Sequence, residues 1–113
     1  MSSHAQGLSA WLLQRLSAVY MVFYLLAAVI IIYRNVPLDY TSWLGLFHQP
    51  LPNILTILFI LLLLGHAWVG IRDILVDYVH YLPARFILMV AVTVLQLGLA
   101  IWSCMALFSV VRL

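Results

Sequence analysis

The chain has 113 residues, 67% of them hydrophobic and 7% charged, with a mean hydropathy of +1.19. A soluble domain is about half apolar and about a quarter charged, so this chain has too little polar surface to face water, and bilayer is its natural solvent. The net charge of +2 is too small and scattered for a nucleic-acid partner. A single cysteine, Cys104, in an apolar run leaves no disulfide framework and no CxxC metal or redox motif.

A spanning helix needs about 20 mostly apolar residues, and three segments qualify. After MSSHAQGLSAWLLQR comes the run LSAVYMVFYLLAAVIIIY, expected to span over residues 12–34. No small-residue cleavage pattern follows it, so it is read as a retained span and not a signal peptide. The segment VPLDYTSWLGLFHQP, flanked by Pro37, Pro50 and Pro52, is expected to be a loop at a membrane interface, with Tyr40 and Trp43 at headgroup level. The second span is expected over residues 53–79 and the third over 84–110, just after Pro83. A proline suits the first turn of a helix, where a missing N–H costs nothing. With no internal repeat, linker or low-complexity tract, residues 1–113 read as a single all-α membrane-anchor domain.

Three such helices bury little against one another, so the chain is expected to belong to a larger membrane assembly; a self-contained homodimer is the alternative. Ala27, Ala28, Gly65, Gly70, Gly98 and Ala100 are small enough to let helices approach. Arg15, Arg72 and Arg85 fall on one side of the membrane, Arg34 and Arg112 on the other. The positive-inside rule then favours a cytoplasmic N-terminus and a cytoplasmic second loop.

The second span holds the chemistry, in LLLLGHAWVGIRDILVDYV, residues 61–79. Gly70, Asp73 and Asp77 follow His66 by four, seven and eleven residues, which places all four within roughly 40° on one helical face. Trp68 points away from it. A polar seam in an apolar cylinder faces protein, cofactor or water, not lipid.

His66 lies about two turns inside the first charges. Either it is a packing histidine hydrogen-bonded to a neighbouring helix, or it is a haem ligand in a bundle core. Gly70, one turn along, leaves room for a flat macrocycle, or serves ordinary packing. A haem held by two histidines would need a second subunit, because His4, His48 and His80 lie in end or loop segments and Met21, Met89 and Met105 read as filler.

Carboxylates at a helix C-terminus oppose the macrodipole, so Asp73 and Asp77 do not serve helix stability. Asp73 reads as interface charge, solvated or paired with Arg72 or Arg85. At Asp77 the adjacent Tyr78 matters. A phenol donates to a carbonyl oxygen while its ring packs in an apolar site, and a neighbouring carboxylate can relay protons. That pairing at a membrane edge suits a quinone site.

The segment HAWVGIRDILVDYV resembles the second transmembrane helix of the smaller hydrophobic anchor subunit of succinate dehydrogenase, respiratory complex II. Its pattern is a His, a Gly four residues on, and Asp-Tyr eleven and twelve residues on, met here by His66, Gly70, Asp77 and Tyr78. The N-terminal WLLQRLSAVYMVFY is similar to that family's opening, a Gln-Arg pair before a Ser/Thr-Ala-Val stretch. Chain length and the three-span layout fit as well.

The resemblance implies three transmembrane helices packing with a second, larger cytochrome b anchor subunit in the bacterial cytoplasmic membrane. His66 would be an axial ligand of haem b, with the other ligand from that partner, and Arg15 would pair with a haem propionate. Tyr78 would hydrogen-bond a ubiquinone carbonyl, and Asp77 would belong to the network around it. Electrons would arrive from an iron–sulfur subunit and a flavoprotein subunit. Asp73 receives no role. A fumarate reductase anchor, using menaquinone in the reverse direction, is a close alternative. A small transporter or channel subunit is a different class of reading, as is a purely structural membrane adaptor. The charges weigh against both, because they cluster at one membrane edge whereas transport sites sit near the midplane.

Overall fold

The computed structural model describes residues 3–112, with side chains from Gly7 onward. Its elements are α1 (Ser3–Arg34), α2 (Tyr40–His48), α3 (Pro50–Tyr78) and α4 (Leu82–Val110). Three stretches are long and apolar enough to cross a bilayer: Gly7–Arg34, Pro50–Tyr78 and Leu82–Val110. Helix α3 is the middle of the bundle. It packs against α1, α2 and α4, while among the described residues no Cα of α1 comes within 8 Å of one of α4.

The helix ends follow from local chemistry. Pro50 and Pro52 open α3 and Pro83 opens α4, each in the first turn. Helix α3 stops at Tyr78, where Val79 turns extended and its N–H bonds the Leu75 carbonyl at 3.0 Å. Past Arg34, Asn35 folds back, and its Nδ2 donates to the Ile31 carbonyl at 2.7 Å. One of the carbonyls that a helix C-terminus leaves unpaired is thereby satisfied.

The segment between the first two spans is not a plain loop. Asp39 caps α2, and its Oδ1 accepts the Ser42 N–H at 2.8 Å. That hydrogen bond favours the ionised form and holds the Asp39 carboxyl below the usual carboxylate range. Tyr40 and Trp43 lie on this helix, the first largely exposed and the second a little under half exposed.

Two sets of side-chain hydrogen bonds hold the bundle together. Between α1 and α3 runs a ladder. Tyr20 Oη donates to the Leu55 carbonyl at 2.7 Å. Tyr24 Oη meets Thr56 Oγ1 at 2.8 Å, and that hydroxyl donates in turn to the Pro52 carbonyl at 2.8 Å. The Tyr24 ring stacks on Phe59, centroids 4.2 Å apart. Lipid tails are as apolar as Leu, so packing and interhelical hydrogen bonds, not hydrophobic burial, bring such helices together.

The second set ties α2 and α4 to the start of α3. Asn53 is 1% exposed, and its Nδ2 donates to the Phe47 carbonyl at 2.9 Å and the Leu107 carbonyl at 2.7 Å. His48 Nδ1 donates to the Val110 carbonyl at 2.6 Å, and the Arg112 N–H returns to the His48 carbonyl at 2.8 Å. Two carbonyls in the last turn of α4, those of Leu107 and Val110, are thus filled by side chains from α3 and α2.

Among the described residues, Val69 is the one buried apolar side chain. Leu, Ile, Val and Phe side chains cover the outside of all three long helices. This is the surface of a chain whose apolar faces meet lipid or protein beyond itself. Gly65, Gly70 and Gly98 do not mediate close packing within the chain, since a Cβ built at any of them meets nothing within 4 Å.

Candidate functional site

The seam on α3 splits into two parts. The inner part faces α1 across a groove of about 490 Å³ lined by Gln14, Arg15, Ala18, His66, Arg72 and Asp73, among others. Two residues of the expected site, His66 and Arg15, therefore meet on one surface although 51 positions separate them in sequence. The outer part, Asp77 and Tyr78, lies beyond this groove at the end of α3. Tyr78 is 79% exposed. Neither residue bonds another described side chain.

His66 is held from one side. Its Nδ1 lies 3.0 Å from Ser17 Oγ, and Ser17 is fully buried. The same hydroxyl can donate to the Gln14 carbonyl at 3.1 Å. A hydroxyl has one proton to give. Given to Gln14, that proton leaves Oγ to accept from an Nδ1-protonated ring; given to the ring, it meets an Nε2-protonated one, and the two distances fit both arrangements. Nε2 has no hydrogen-bond partner among the described residues. In the Nδ1-protonated form Nε2 keeps its lone pair, which is the state of an imidazole that ligates through Nε2. The ring is hydrogen-bonded to a neighbouring helix through Nδ1, and Nε2 stays open toward the groove.

Trp68, two residues on, faces the other neighbour. Its Nε1–H donates to Thr93 Oγ1 on α4 at 3.1 Å, and Thr93 donates on to the Met89 carbonyl at 2.8 Å. The indole carries the Arg72 guanidinium, whose Cζ is 5.6 Å from the ring centroid. Arg72 reaches Asp73 Oδ1 at 3.2 Å. Asp73, without a role in the sequence pattern, is the ion-pair partner of Arg72. Both are partly exposed, so the pair contributes little to stability; its effect is to fix where the cation sits on the groove wall. Arg15 is steadied in a similar way, with its Cζ 5.4 Å from the Trp11 ring centroid.

The groove suits a flat, partly anionic cofactor by its donor set. It offers one imidazole nitrogen and the Arg15 cation, while its second cation, Arg72, is paired with Asp73 on the same wall. Gly70 is not among the residues that line the groove, and a Cβ built there meets nothing within 4 Å. Gln14 Oε1 is buried with no partner among the described residues, an acceptor the chain leaves unused. Among the described residues no three His, Cys, Asp or Glu side chains gather as a metal site of their own.

Sequence reasoning missed Ser17, Tyr20 and Tyr24. Their spacing of three and four residues along an otherwise apolar run was the available signal, because it puts them on one helical face.

Two comparisons bear on this arrangement. Residues 1–110 match the family model described as succinate dehydrogenase/fumarate reductase transmembrane subunit. A succinate dehydrogenase hydrophobic membrane anchor subunit from Coxiella burnetii (strain RSA 493 / Nine Mile phase I) is 31% identical over 98 residues, which cover 87% of this chain and 85% of that relative. With three membrane-length helices and a family match over nearly its whole length, the chain belongs to the succinate dehydrogenase/fumarate reductase transmembrane subunit family.

Proposed function

We propose that this chain is the smaller membrane anchor of a succinate:ubiquinone oxidoreductase of the bacterial cytoplasmic membrane. Its N-terminus and the α3–α4 connection face the cytoplasm. It holds haem b jointly with a larger cytochrome b anchor and forms part of the quinone-reduction site beside the iron–sulfur subunit. The observation that carries the reading is the open Nε2 of His66 on the same groove as Arg15. A single cysteine cannot hold an iron–sulfur cluster, so succinate oxidation belongs to the flavoprotein and iron–sulfur subunits.

His66 Nε2 is the axial ligand this chain offers, and Arg15 is the cation for a propionate. When bound, haem b supplies a one-electron redox centre whose potential the ligand and its surroundings set.

At the outer end, Tyr78 orients the quinone by donating its phenol proton in a hydrogen bond to a carbonyl oxygen. Asp77, the preceding residue, stands at the membrane edge and supports delivery of protons from water. Reduction to the quinol consumes two electrons and two protons. The electrons come from the iron–sulfur subunit and the protons through groups such as these. The exposure of Tyr78 and its lack of an internal partner suit a site completed by other subunits.

The experiment is Tyr78→Phe in the assembled complex. Succinate:quinone reductase activity should fall by about tenfold or more, while succinate-driven reduction of an artificial dye at the soluble subunits persists. Unchanged quinone reductase activity would remove the quinone role, whereas equal loss of both activities points to an assembly defect instead.

A further inference from the structure

We propose that Ser17 is the positioning residue of His66: it fixes which ring nitrogen is open and sets how strongly that nitrogen donates. The proposal rests on the haem-ligand reading above. Ser17 is a small polar residue inside an apolar helix, fully buried, with both its hydrogen-bonding functions used. A serine placed only for helix packing needs just the bond back to its own helix, here to the Gln14 carbonyl at 3.1 Å. Ser17 adds a contact of 3.0 Å to a ring 49 residues away.

The direction of this relay matters. The Gln14 carbonyl draws the Ser17 proton, which makes Oγ a better acceptor. Oγ draws the Nδ1 proton, which makes Nε2 more basic. A neighbour that accepts from the free N–H of a ligating histidine fixes its tautomer and raises its basicity. A more basic axial nitrogen favours the higher charge on a metal, so the relay holds the potential of a bound haem down. The relay also decides geometry. The ring pivots about its bond to α3, and the bond to α1 stops the pivot. The hydroxyl is therefore a hinge pin between two helices as well as an electronic lever.

The test separates shape from hydrogen bonding. Ser17→Cys keeps nearly the same shape but replaces the hydroxyl with a weak acceptor, whereas Ser17→Thr keeps the hydroxyl. In the purified complex, redox titration of the haem should show a higher midpoint potential for Ser17→Cys than for the unmodified complex, and an unchanged one for Ser17→Thr. An unchanged potential in Ser17→Cys, or equal displacement by both variants, overturns the proposal.

A second readout does not depend on haem. The full chain, labelled with ¹⁵N-histidine and purified in detergent without haem, should show His66 protonated at Nδ1. The signal is assigned by its loss in His66→Gln. The Nε2-protonated form should gain in Ser17→Cys and stay minor in Ser17→Thr. A ring already protonated at Nε2 in the unmodified chain overturns the proposal. A complex without haem sinks the haem-ligand reading alone, because the ring's tautomer still decides the role of Ser17.

Discussion

His66 and Trp68, two residues apart on α3, are held by different helices: the imidazole Nδ1 by Ser17 of α1 at 3.0 Å, the indole Nε1 by Thr93 of α4 at 3.1 Å. A two-residue step on an α-helix turns the side chain by about 200°, so one short stretch faces both neighbours. Among the described residues no Cα of α1 comes within 8 Å of one of α4, so the bundle at this level is joined through α3. The ring that offers Nε2 and the indole that carries Arg72 are parts of one connection across three helices.

That connection predicts a measurable coupling. Thr93→Val preserves shape and removes the acceptor of the Trp68 indole. It should destabilise the complex by about 1 kcal/mol, within the range for hydrogen bonds between membrane helices. Unfolding in mixed micelles with rising denaturing detergent measures this. Combined with Trp68→Phe the losses should be less than additive; strict additivity would show that the two groups do not interact.

Asn53 carries a larger share at the opposite end. Its Nδ2 serves the Phe47 and Leu107 carbonyls from a buried position. Asn53→Leu leaves both without that donor and should cost about 1–3 kcal/mol. The same unfolding experiment checks it, and limited proteolysis should show α2 cut faster than α3. A variant as stable as the unmodified chain would refute the clamp.

Helix α2 should respond to acid through its cap. The Asp39 carboxyl is held below the usual carboxylate range by the Ser42 N–H. A group whose folded value is depressed contributes stability above its ordinary value of 3.8 and loses it as pH falls through the lower folded value. Hydrogen exchange of the Ser42 amide should therefore accelerate as pH drops below about 3.8, beyond the intrinsic change in exchange chemistry. Asp39→Asn caps without titrating and should abolish that extra acceleration. Equal pH profiles for the two chains would contradict it.

The three spans were legible because an apolar run of membrane length has one physical solution. The seam was legible because the 3.6-residue period is a property of one helix and needs no partner. Helix α2 was not read, although Asp39 and Ser42 stand in cap spacing, because the prolines around it suggested a loop. The meeting of Arg15 with His66 could not be read from either helix alone, since it depends on the register between α1 and α3. That register is set by Ser17, Tyr20 and Tyr24, whose hydroxyls looked incidental among so many apolar neighbours. The glycines that could let helices approach have open space beside them within this chain, where a built Cβ meets nothing within 4 Å.

The most direct test of His66 as the haem ligand is the optical spectrum of the purified complex with His66 replaced by Ala. A low-spin b-type haem is expected in the unmodified complex, and its loss or clear alteration in His66→Ala, with the soluble subunits still oxidising succinate with an artificial dye. An identical haem spectrum in both would contradict the ligand role.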